Sequence, residues 1–241
     1  TELGQATCAV LKHNGFEVFV PPGQQISGMS LISAGVIDRA KKIATRNVEM
    51  LAEGVRQGCH IVTSEPSAAL ALKHEYLHFL SDDDARMVAE NCTDISNFLW
   101  QLHLKGDLEL DFKPLNYTVG YHLPCHQRAL GPIVAGMQLL DLIPGLQVER
   151  IEKGCSGMAG IYGLIRPNYR RSLRAGLGLI SAVRAPHVMA GVTECSTCKI
   201  QMEQGTVKPT LHPVKILALA YGLMPELEDL FERRSQSLVV S

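Results

Sequence analysis

The order of apolar and polar positions along this chain of 241 residues predicts helices that alternate with strands. The most regular pattern covers residues 31–55, where apolar side chains recur every three or four positions and Lys41, Lys42 and Arg46 take the opposite face. Further helices are predicted over residues 6–13, 68–79, 131–142, 167–183 and 213–220, with two more beginning at the capping residues 81–84 and 93–94. The predicted strands cover residues 16–20, 59–63, 116–122, 146–151 and 187–193.

Strands that alternate with helices in both halves predict an α/β fold with largely parallel sheets. The polar and broken stretch 106–114 predicts a boundary between two units. We therefore expect a first unit over residues 1–114 and a second over residues 115–241. The tail 235–241 carries no strong structural signal and is expected to fray.

Two motifs of the first half recur in the second half at one constant offset. Residues 26–29 fall on residues 155–158, and residues 65–69 fall on residues 194–198, both with a shift of 129 positions. A single register that aligns two separate motifs predicts two tandem, related α/β repeats. The first copy is degenerate, because it lacks thiols at the aligned positions, which are Ile26 for Cys155, Pro66 for Cys195 and Ala69 for Cys198.

Composition and charge bear on the class of partner. The formal net charge of −1 gives no general electrostatic reason to bind nucleic acid, and we expect none. Every long apolar run is too short to span a bilayer, so contact with the inner membrane is expected only through a partner. The counterpart of Cys125 in the first copy would precede Thr1, and the chain opens without an initiator Met or a signal pattern, so we expect a part of a longer polypeptide. Seven cysteines without a secretory signal favour a reducing compartment, the cytoplasm.

Four of the cysteines stand at positions where a ligand site forms in parallel α/β folds. Cys125, Cys155 and Cys195 each follow a predicted strand, and Cys198 closes a Cys-x-x-Cys loop with Cys195. Sites in such folds gather beyond the carboxyl ends of the strands, so we expect the four thiols to converge. Four thiolates suit either an iron–sulfur cluster or a tetrahedral zinc ion.

The residues next to these thiols are expected to support a metal centre. Glycines between residues 154 and 163 let the backbone approach it and offer N–H groups to sulfur. Histidines in the same loops are expected to cap helices or to hydrogen-bond to sulfur. The supporting residues expected around the centre are His122, His126, Ser156, Gly157, Glu194 and His212.

Other roles for the cysteines stay open at this point. A lone Cys-x-x-Cys pair also occurs in thioredoxin-like redox proteins. Cys8, Cys59 and Cys92 lie within apolar segments and are expected to be small buried residues. Bound zinc would make the chain a structural or docking module with no redox role.

Four segments of the second half resemble a known family. They are Tyr-His-Leu-Pro-Cys-His at 121–126, Gly-Cys-Ser-Gly-Met-Ala-Gly at 154–160, Glu-Cys-Ser-Thr-Cys at 194–198 and His-Pro-Val-Lys-Ile-Leu-Ala at 212–218. They resemble the cysteine-rich CCG domain of heterodisulfide reductase, and are similar to the iron–sulfur subunit of anaerobic glycerol-3-phosphate dehydrogenase and to modules fused to FAD-linked oxidase domains. The resemblance covers the chain as two tandem copies, of which the second is the more specific.

The resemblance implies electron transfer from an FAD-linked dehydrogenase of a 2-hydroxy acid or glycerol 3-phosphate type substrate towards a quinone or another acceptor. FAD would lie only on a fused or partner domain, because this chain has no flavin or nicotinamide fingerprint and is expected to turn over nothing by itself. The further partners implied are a ferredoxin-like iron–sulfur domain and a quinone-reducing protein in the membrane.

The resemblance also implies a ligand set, namely Cys125, Cys155, Cys195 and Cys198. The family's full pattern has two adjacent cysteines before the glycine. Here Gly154 replaces the first of them and Ser156 separates Cys155 from the next glycine. The missing thiol favours a four-thiolate 4Fe–4S cluster over the non-cubane cluster of heterodisulfide reductase, and zinc stays an alternative.

Overall fold

The computed structural model describes residues 1–232 and shows a mixed α/β fold with parallel sheets, which confirms the predicted fold class. The strands are β1 (Ile61–Thr63), β2 (Cys92–Asp94), β3 (Thr118–Tyr121), β4 (Gln147–Arg150), β5 (Ala190–Val192) and β6 (Thr210–Leu211). In chain order the α-helices are α1 (Glu2–His13), α2 (Met29–Ser33), α3 (Ile37–Arg56), α4 (Pro66–Leu70), α5 (Asp83–Glu90), α6 (Ile95–Lys105), α7 (Cys125–Leu130), α8 (Ala135–Leu140), α9 (Tyr169–Arg184), α10 (Ser196–Met202), α11 (Pro213–Ala220) and α12 (Asp229–Glu232). The tail 235–241, expected to fray, lies outside the described residues.

The strands form two parallel sheets. A four-stranded sheet has the order β4-β3-β5-β6, and a two-stranded sheet pairs β1 with β2. Because all neighbours are parallel, the carboxyl ends of β3, β4, β5 and β6 meet at one edge of the larger sheet. That edge is where the loops with the four cysteines begin.

Most predicted helices are present, and the differences have local causes. The longest predicted helix divides into α2 and α3, because Gly35 between them adopts a left-handed φ of 74°. The predicted N-caps of α5 and α6 are confirmed: Asp82 accepts from the Ala85 N–H at 2.7 Å, and Asp94 accepts from the Asn97 N–H at 3.1 Å. After α4 the chain continues as one π turn and one 3-10 turn up to His78.

One predicted strand is wrong and two strands were missed. Residues 16–20 form no strand. The strand 129 positions further on, β4, is held by pairing with β3, whereas no strand within residues 1–232 pairs with residues 16–20. β2 and β6 were missed because strands of three and two residues are too short to show alternation.

The core has three parts. The largest covers one face of the four-stranded sheet with α1, α6, α8 and α11, so helices from both halves share it. A second part lies inside the first half and includes α3 and α5. The third, on the other face of the larger sheet, joins Leu179 and Val183 of α9 to Met202 of α10. Gly191 of β5 faces this third part, and a Cβ there would lie 2.8 Å from Met202 Cε, so the glycine lets α10 pack closely.

The structure repeats elements at the offset found in the sequence. β1 covers residues 61–63 and β5 covers residues 190–192, 129 positions apart, and a short helix follows each strand. Each of them pairs in parallel with a strand that leads directly into a capped helix, β2 into α6 and β6 into α11. Because the largest core crosses the boundary at 106–114, the division into units at 1–114 and 115–241 stays a prediction.

No helix among residues 1–232 combines the length and the apolarity needed to cross a bilayer.

Candidate metal centre

The four predicted ligands stand just beyond the carboxyl ends of three adjacent strands. Cys125 opens α7 after β3, and Cys155 lies in the loop after β4. Cys195 precedes the first residue of α10 after β5, and Cys198 lies in the first turn of that helix. The central strand β3 pairs with both β4 and β5, so the three loops start side by side.

The Cys-x-x-Cys loop brings its two thiols into direct contact. A hydrogen bond from the Cys198 thiol lowers the pKa of Cys195, and Thr197 Oγ1 lies 3.1 Å from the Cys195 sulfur and acts in the same direction. The same contact, together with burial, raises the pKa of Cys198. The pair therefore holds one thiolate readily while the second proton stays in place until a cation displaces it.

The loop after β4, which carries Cys155, contacts the Cys-x-x-Cys loop. Ser156 Oγ lies 3.2 Å from the Cys198 sulfur, and the backbone N–H of Gly157 donates to the Cys155 sulfur at 3.3 Å. Gly157 has a φ of 84°, and a Cβ there would overlap the carbonyl oxygen of Ser172 in α9. Only glycine lets the Cys155 loop pack this tightly on α9.

Cys125 completes the group from the third loop. Its thiol is exposed, and its pKa is raised first by partial burial and then by the charges of Cys155 and Cys195. The charge of Cys125 acts on Cys198 as well. The four predicted ligands thus interact electrostatically across three loops that start side by side.

The thiols stand in hydrogen-bonded rather than coordinating positions. Within residues 1–232, no three or more His, Cys, Asp or Glu side chains are placed to hold one metal ion directly. The donor set nevertheless fits a four-thiolate centre, because it offers four sulfurs from three loops together with N–H and O–H donors aimed at those sulfurs.

Two of the three histidines predicted to support the centre, His212 and His126, hydrogen-bond to other groups, and His122 is buried. His212 Nδ1 accepts from the Val214 N–H at 3.0 Å, so it caps α11 as expected for a helix cap. Burial lowers the pKa of His212 to about 3 and, with the charge of Arg128, that of His122 to about 4, so both rings are neutral. His126 lies within hydrogen-bond distance of Ser67 Oγ, 2.9 Å.

Glu194 precedes the Cys-x-x-Cys loop and is almost fully buried. Its Oε1 accepts from the Tyr121 hydroxyl at 2.5 Å, and burial raises its pKa to about 8. Its Oε2 has no hydrogen-bond partner within the part of the chain that the structure describes. A Cβ at Gly136 of α8 would overlap Glu194 Oε1, so this glycine leaves the room that the carboxyl group needs. A protonated Glu194 therefore links β3, α8 and the metal-binding loop.

The first repeat supplies contacts that the sequence did not predict. Glu65 accepts hydrogen bonds from the Ser196 hydroxyl and from its backbone N–H, the latter at 3.3 Å. Burial raises the pKa of Glu65 to about 7. With the bond between Ser67 and His126, two of the three cysteine loops are held from the degenerate copy. The alignment of the two halves at a shift of 129 positions could have indicated this role, because it makes Glu65 the counterpart of Glu194.

The remaining cysteines differ from one another. Cys92 is buried in β2, as predicted, and burial raises its pKa to about 12. Cys8 is half-buried. The expectation that Cys59 is buried is wrong, because β1 begins only at Ile61 and Cys59 lies exposed in the turn after α3.

Comparison with known proteins gives relatives along most of the chain. It is 32% identical over 91% of its length to a subunit of anaerobic glycerol-3-phosphate dehydrogenase from Escherichia coli, covering 55% of that protein. It is 32% identical over 90% of its length to a subunit of fumarate reductase (CoM/CoB) from Methanothermobacter marburgensis, covering 41% of it. It is 27% identical over 83% of its length to the probable glycolate oxidase iron-sulfur subunit of Bacillus subtilis, covering 45% of it. The chain thus spans about half the length of these relatives.

The family model that matches is that of the cysteine-rich domain CCG, over residues 119–203. This segment begins in β3 and ends just after α10, so it includes all four cysteines of the candidate centre. Over residues 119–203, the chain is therefore similar to the CCG family of cysteine-rich domains.

Proposed function

We propose that this chain is the electron-transfer part of a flavin-dependent oxidoreductase and holds an iron–sulfur cluster on Cys125, Cys155, Cys195 and Cys198. The observation that carries the proposal is that three cysteine loops start side by side at one edge of the sheet, and that Ser156 of one loop contacts Cys198 of another. Relatives named as iron-sulfur proteins or subunits support the same assignment.

The cluster type follows from the number of thiols in these loops. Four thiolates complete the ligand shell of a 4Fe–4S cluster, which supplies one-electron chemistry when bound. Gly154 has a φ of 81° and carries no side chain, so no fifth thiol stands beside Cys155. We therefore assign a cluster with one thiolate for each iron.

The chain's own groups prepare the site for this role. The Gly157 N–H and the hydroxyl groups of Ser156 and Thr197 lie close to three different sulfurs. Hydrogen bonds to cluster sulfur stabilise the more negative, reduced state and so raise the reduction potential. Glu65 and Ser67 hold two of the loops in place, so that the loops are ordered before the metal arrives.

The electron donor and the acceptor are inferred from the relatives. Their names point to dehydrogenases and oxidases of glycerol 3-phosphate and glycolate. We propose that an FAD-linked dehydrogenase domain or subunit reduces the cluster and that a ferredoxin-like domain or a quinone-reducing protein receives the electron.

The proposal is tested by purifying the protein without oxygen and measuring iron, acid-labile sulfide and zinc. We expect about four irons and four sulfides per chain and a broad visible absorption that dithionite bleaches. A colourless protein with stoichiometric zinc after anaerobic reconstitution would contradict the cluster. It would instead support a zinc-binding structural or docking module.

A further inference from the structure

The segment between Cys155 and α9 carries an unusual distribution of charge. From Lys153 to Thr193 the chain has six lysines and arginines and not one Asp or Glu, although the whole chain has a net charge of −1. Four of these cations, at positions 166, 170, 171 and 174, fall within nine residues, and all four are exposed. The ion pairs found within residues 1–232 use other cations. This surface is therefore positively charged and its charges are not neutralised by neighbours.

Three of the four arginines lie on one side of α9. Arg170 and Arg174 are one turn apart in α9, and Arg171 is three residues from Arg174, so their side chains are neighbours on its outer surface. Arg166 lies three residues before the first residue of α9. The opposite face of α9 is buried and carries Ser172, Gly176, Leu179, Ile180 and Val183.

Apolar side chains are exposed beside these arginines. Leu164 is 57% exposed and Leu177 is 60% exposed, although both are large and apolar. Ile161, Tyr162, Ile165 and Tyr169 are exposed in the same segment. Exposed apolar residues concentrated within one short segment are typical of an interaction surface.

This arginine surface adjoins the metal centre. The Cys155 loop packs on α9, since a Cβ at Gly157 would overlap Ser172 and a Cβ at Gly178 would lie 3.2 Å from Lys153. An α-helix with its side chains is about 10–12 Å wide. The arginines therefore lie within about one helix width of the loop that holds Cys155.

We infer that a surface on and before α9 docks an acidic redox protein that exchanges electrons with the centre. This surface consists of Arg166, Arg170, Arg171 and Arg174 with the exposed residues Ile161, Tyr162, Leu164, Ile165 and Leu177. Four unpaired arginines favour a partner surface rich in Asp and Glu, because complementary charges steer the encounter. The apolar residues supply the desolvated contact that holds the partner. The inference rests on the proposed electron-transfer function and adds the face at which the electron passes.

The first test measures binding and does not depend on the cluster. An acidic 2Fe–2S ferredoxin serves as the probe in titration calorimetry at low ionic strength. We expect R170E/R174E to weaken its binding at least about tenfold. The control variant K12E/K105E makes the same change in net charge on α1 and α6, which pack on the opposite face of the larger sheet, and is expected to stay within about twofold. Equal weakening in both variants, or no binding by the unmodified protein, would overturn the inference.

The second test measures electron transfer. In stopped flow, one electron passes from the reduced ferredoxin to the oxidised centre, so that the ferredoxin is oxidised as the centre is reduced. We expect R170E/R174E to slow this reaction about tenfold at low salt, with the difference shrinking as ionic strength rises. Reduced methyl viologen, a small donor that needs no docking surface, is expected to reduce both proteins at the same rate. An unchanged ferredoxin rate in R170E/R174E would overturn the inference.

The two tests separate the inference from the proposed function. A centre that reduced methyl viologen cannot reduce would refute the proposed function, while the calorimetry would still decide the docking surface. Sedimentation with vesicles of phosphatidylglycerol and phosphatidylcholine tests the alternative partner, an anionic membrane. Cationic and apolar side chains bind such a membrane as well. Vesicle binding that R170E/R174E abolishes, without any effect on ferredoxin, would overturn the inference and assign the surface to a membrane.

Discussion

The loops after β1 and β5 are two versions of one element. Each follows a parallel strand, opens a short helix, and carries a Glu and a Ser at positions 129 apart. The second version presents Cys195 and Cys198, whereas the first has Pro66 and Ala69, both buried. The loop thus keeps its shape without thiols, since parallel strand pairing and helix packing hold it in both copies.

The first loop differs in what its polar residues do. Glu65 and Ser67 bond to Ser196 and His126 in the second copy. Glu194, the counterpart of Glu65, is turned inward to Tyr121 instead. The comparison teaches that the copy without ligands serves to hold the copy with ligands.

The largest effect is expected from removing one of the four predicted thiol ligands. Cys198→Ala should abolish binding of iron, and Cys125→Ala should do the same, because a four-thiolate shell loses one corner. Iron and sulfide per chain are the measurement, and circular dichroism checks the fold. Cys59→Ala is the control, since Cys59 is exposed in the turn after α3, and it should keep its metal. Equal metal content in the three variants would show that the ligand set is wrong.

The second effect concerns one helical glycine from each half. Gly136→Ala places a Cβ against Glu194 Oε1 and should lower the free energy of unfolding by about 1–3 kcal/mol. In Gly54→Ala the nearest atom is Cys59 Cβ at 3.9 Å, so this helix should gain about 0.4–1 kcal/mol. Urea unfolding of both variants is the measurement. A Gly136→Ala protein as stable as the parent would show that Glu194 moves freely.

The third effect is a pH dependence of the metal-free protein. The pKa of Glu194 is raised to about 8 and that of Glu65 to about 7. These two carboxyl groups therefore hold protons in the folded state that the unfolded state releases, and their contribution to stability falls as pH rises through these values. His122 and His212, whose pKa values are lowered, act in the opposite sense and only below about pH 6.5.

Between pH 6.5 and 8 the two carboxyl groups act against Cys195, whose pKa is lowered to about 5 and which therefore adds stability as pH rises. Comparing the parent with a Glu194 variant cancels the Cys195 contribution. Each carboxyl group contributes at most about 1.4 kcal/mol per pH unit. Glu194→Gln cannot ionise, so it should lose less stability than the parent between these values, as measured by urea unfolding at both ends. Parallel losses in the two proteins would contradict a protonated Glu194.

The smallest effect tests the bonds between the copies. Ser67→Ala removes the contact with His126, and Ser196→Ala removes the hydroxyl bond to Glu65 while the bond from the backbone N–H stays. Each should cost about 0.5–1.5 kcal/mol, the net value of one hydrogen bond. The double variant measures coupling through the shared interface. If Ser196→Ala alone changed stability, the holding role of the first copy would be limited to Glu65.

Elements that depend on periodicity and capping could be predicted from the sequence. Elements that depend on contacts between distant segments could not. The amphipathic pattern of α3, the caps Asp82 and Asp94, and the strand ends before Cys125 and Cys195 were all readable in the sequence. The short strands β2 and β6 were not, because two or three residues carry no period. The strand at 16–20 was predicted from alternation alone, and alternation does not tell whether a pairing partner exists. The Ser67–His126 bond joins residues 59 positions apart, and no local signal encodes such a contact.

The graded exposure of the four thiols makes the centre one-sided. Cys195 and Cys198 are buried, while Cys125 and Cys155 face the solvent. A bulky alkylating reagent applied to the metal-free protein would therefore modify Cys125 and Cys155 first and the buried pair only after the chain opens. The site would thus lose its two exposed ligands, while Cys195 and Cys198, still shielded by the first repeat, remain chemically intact.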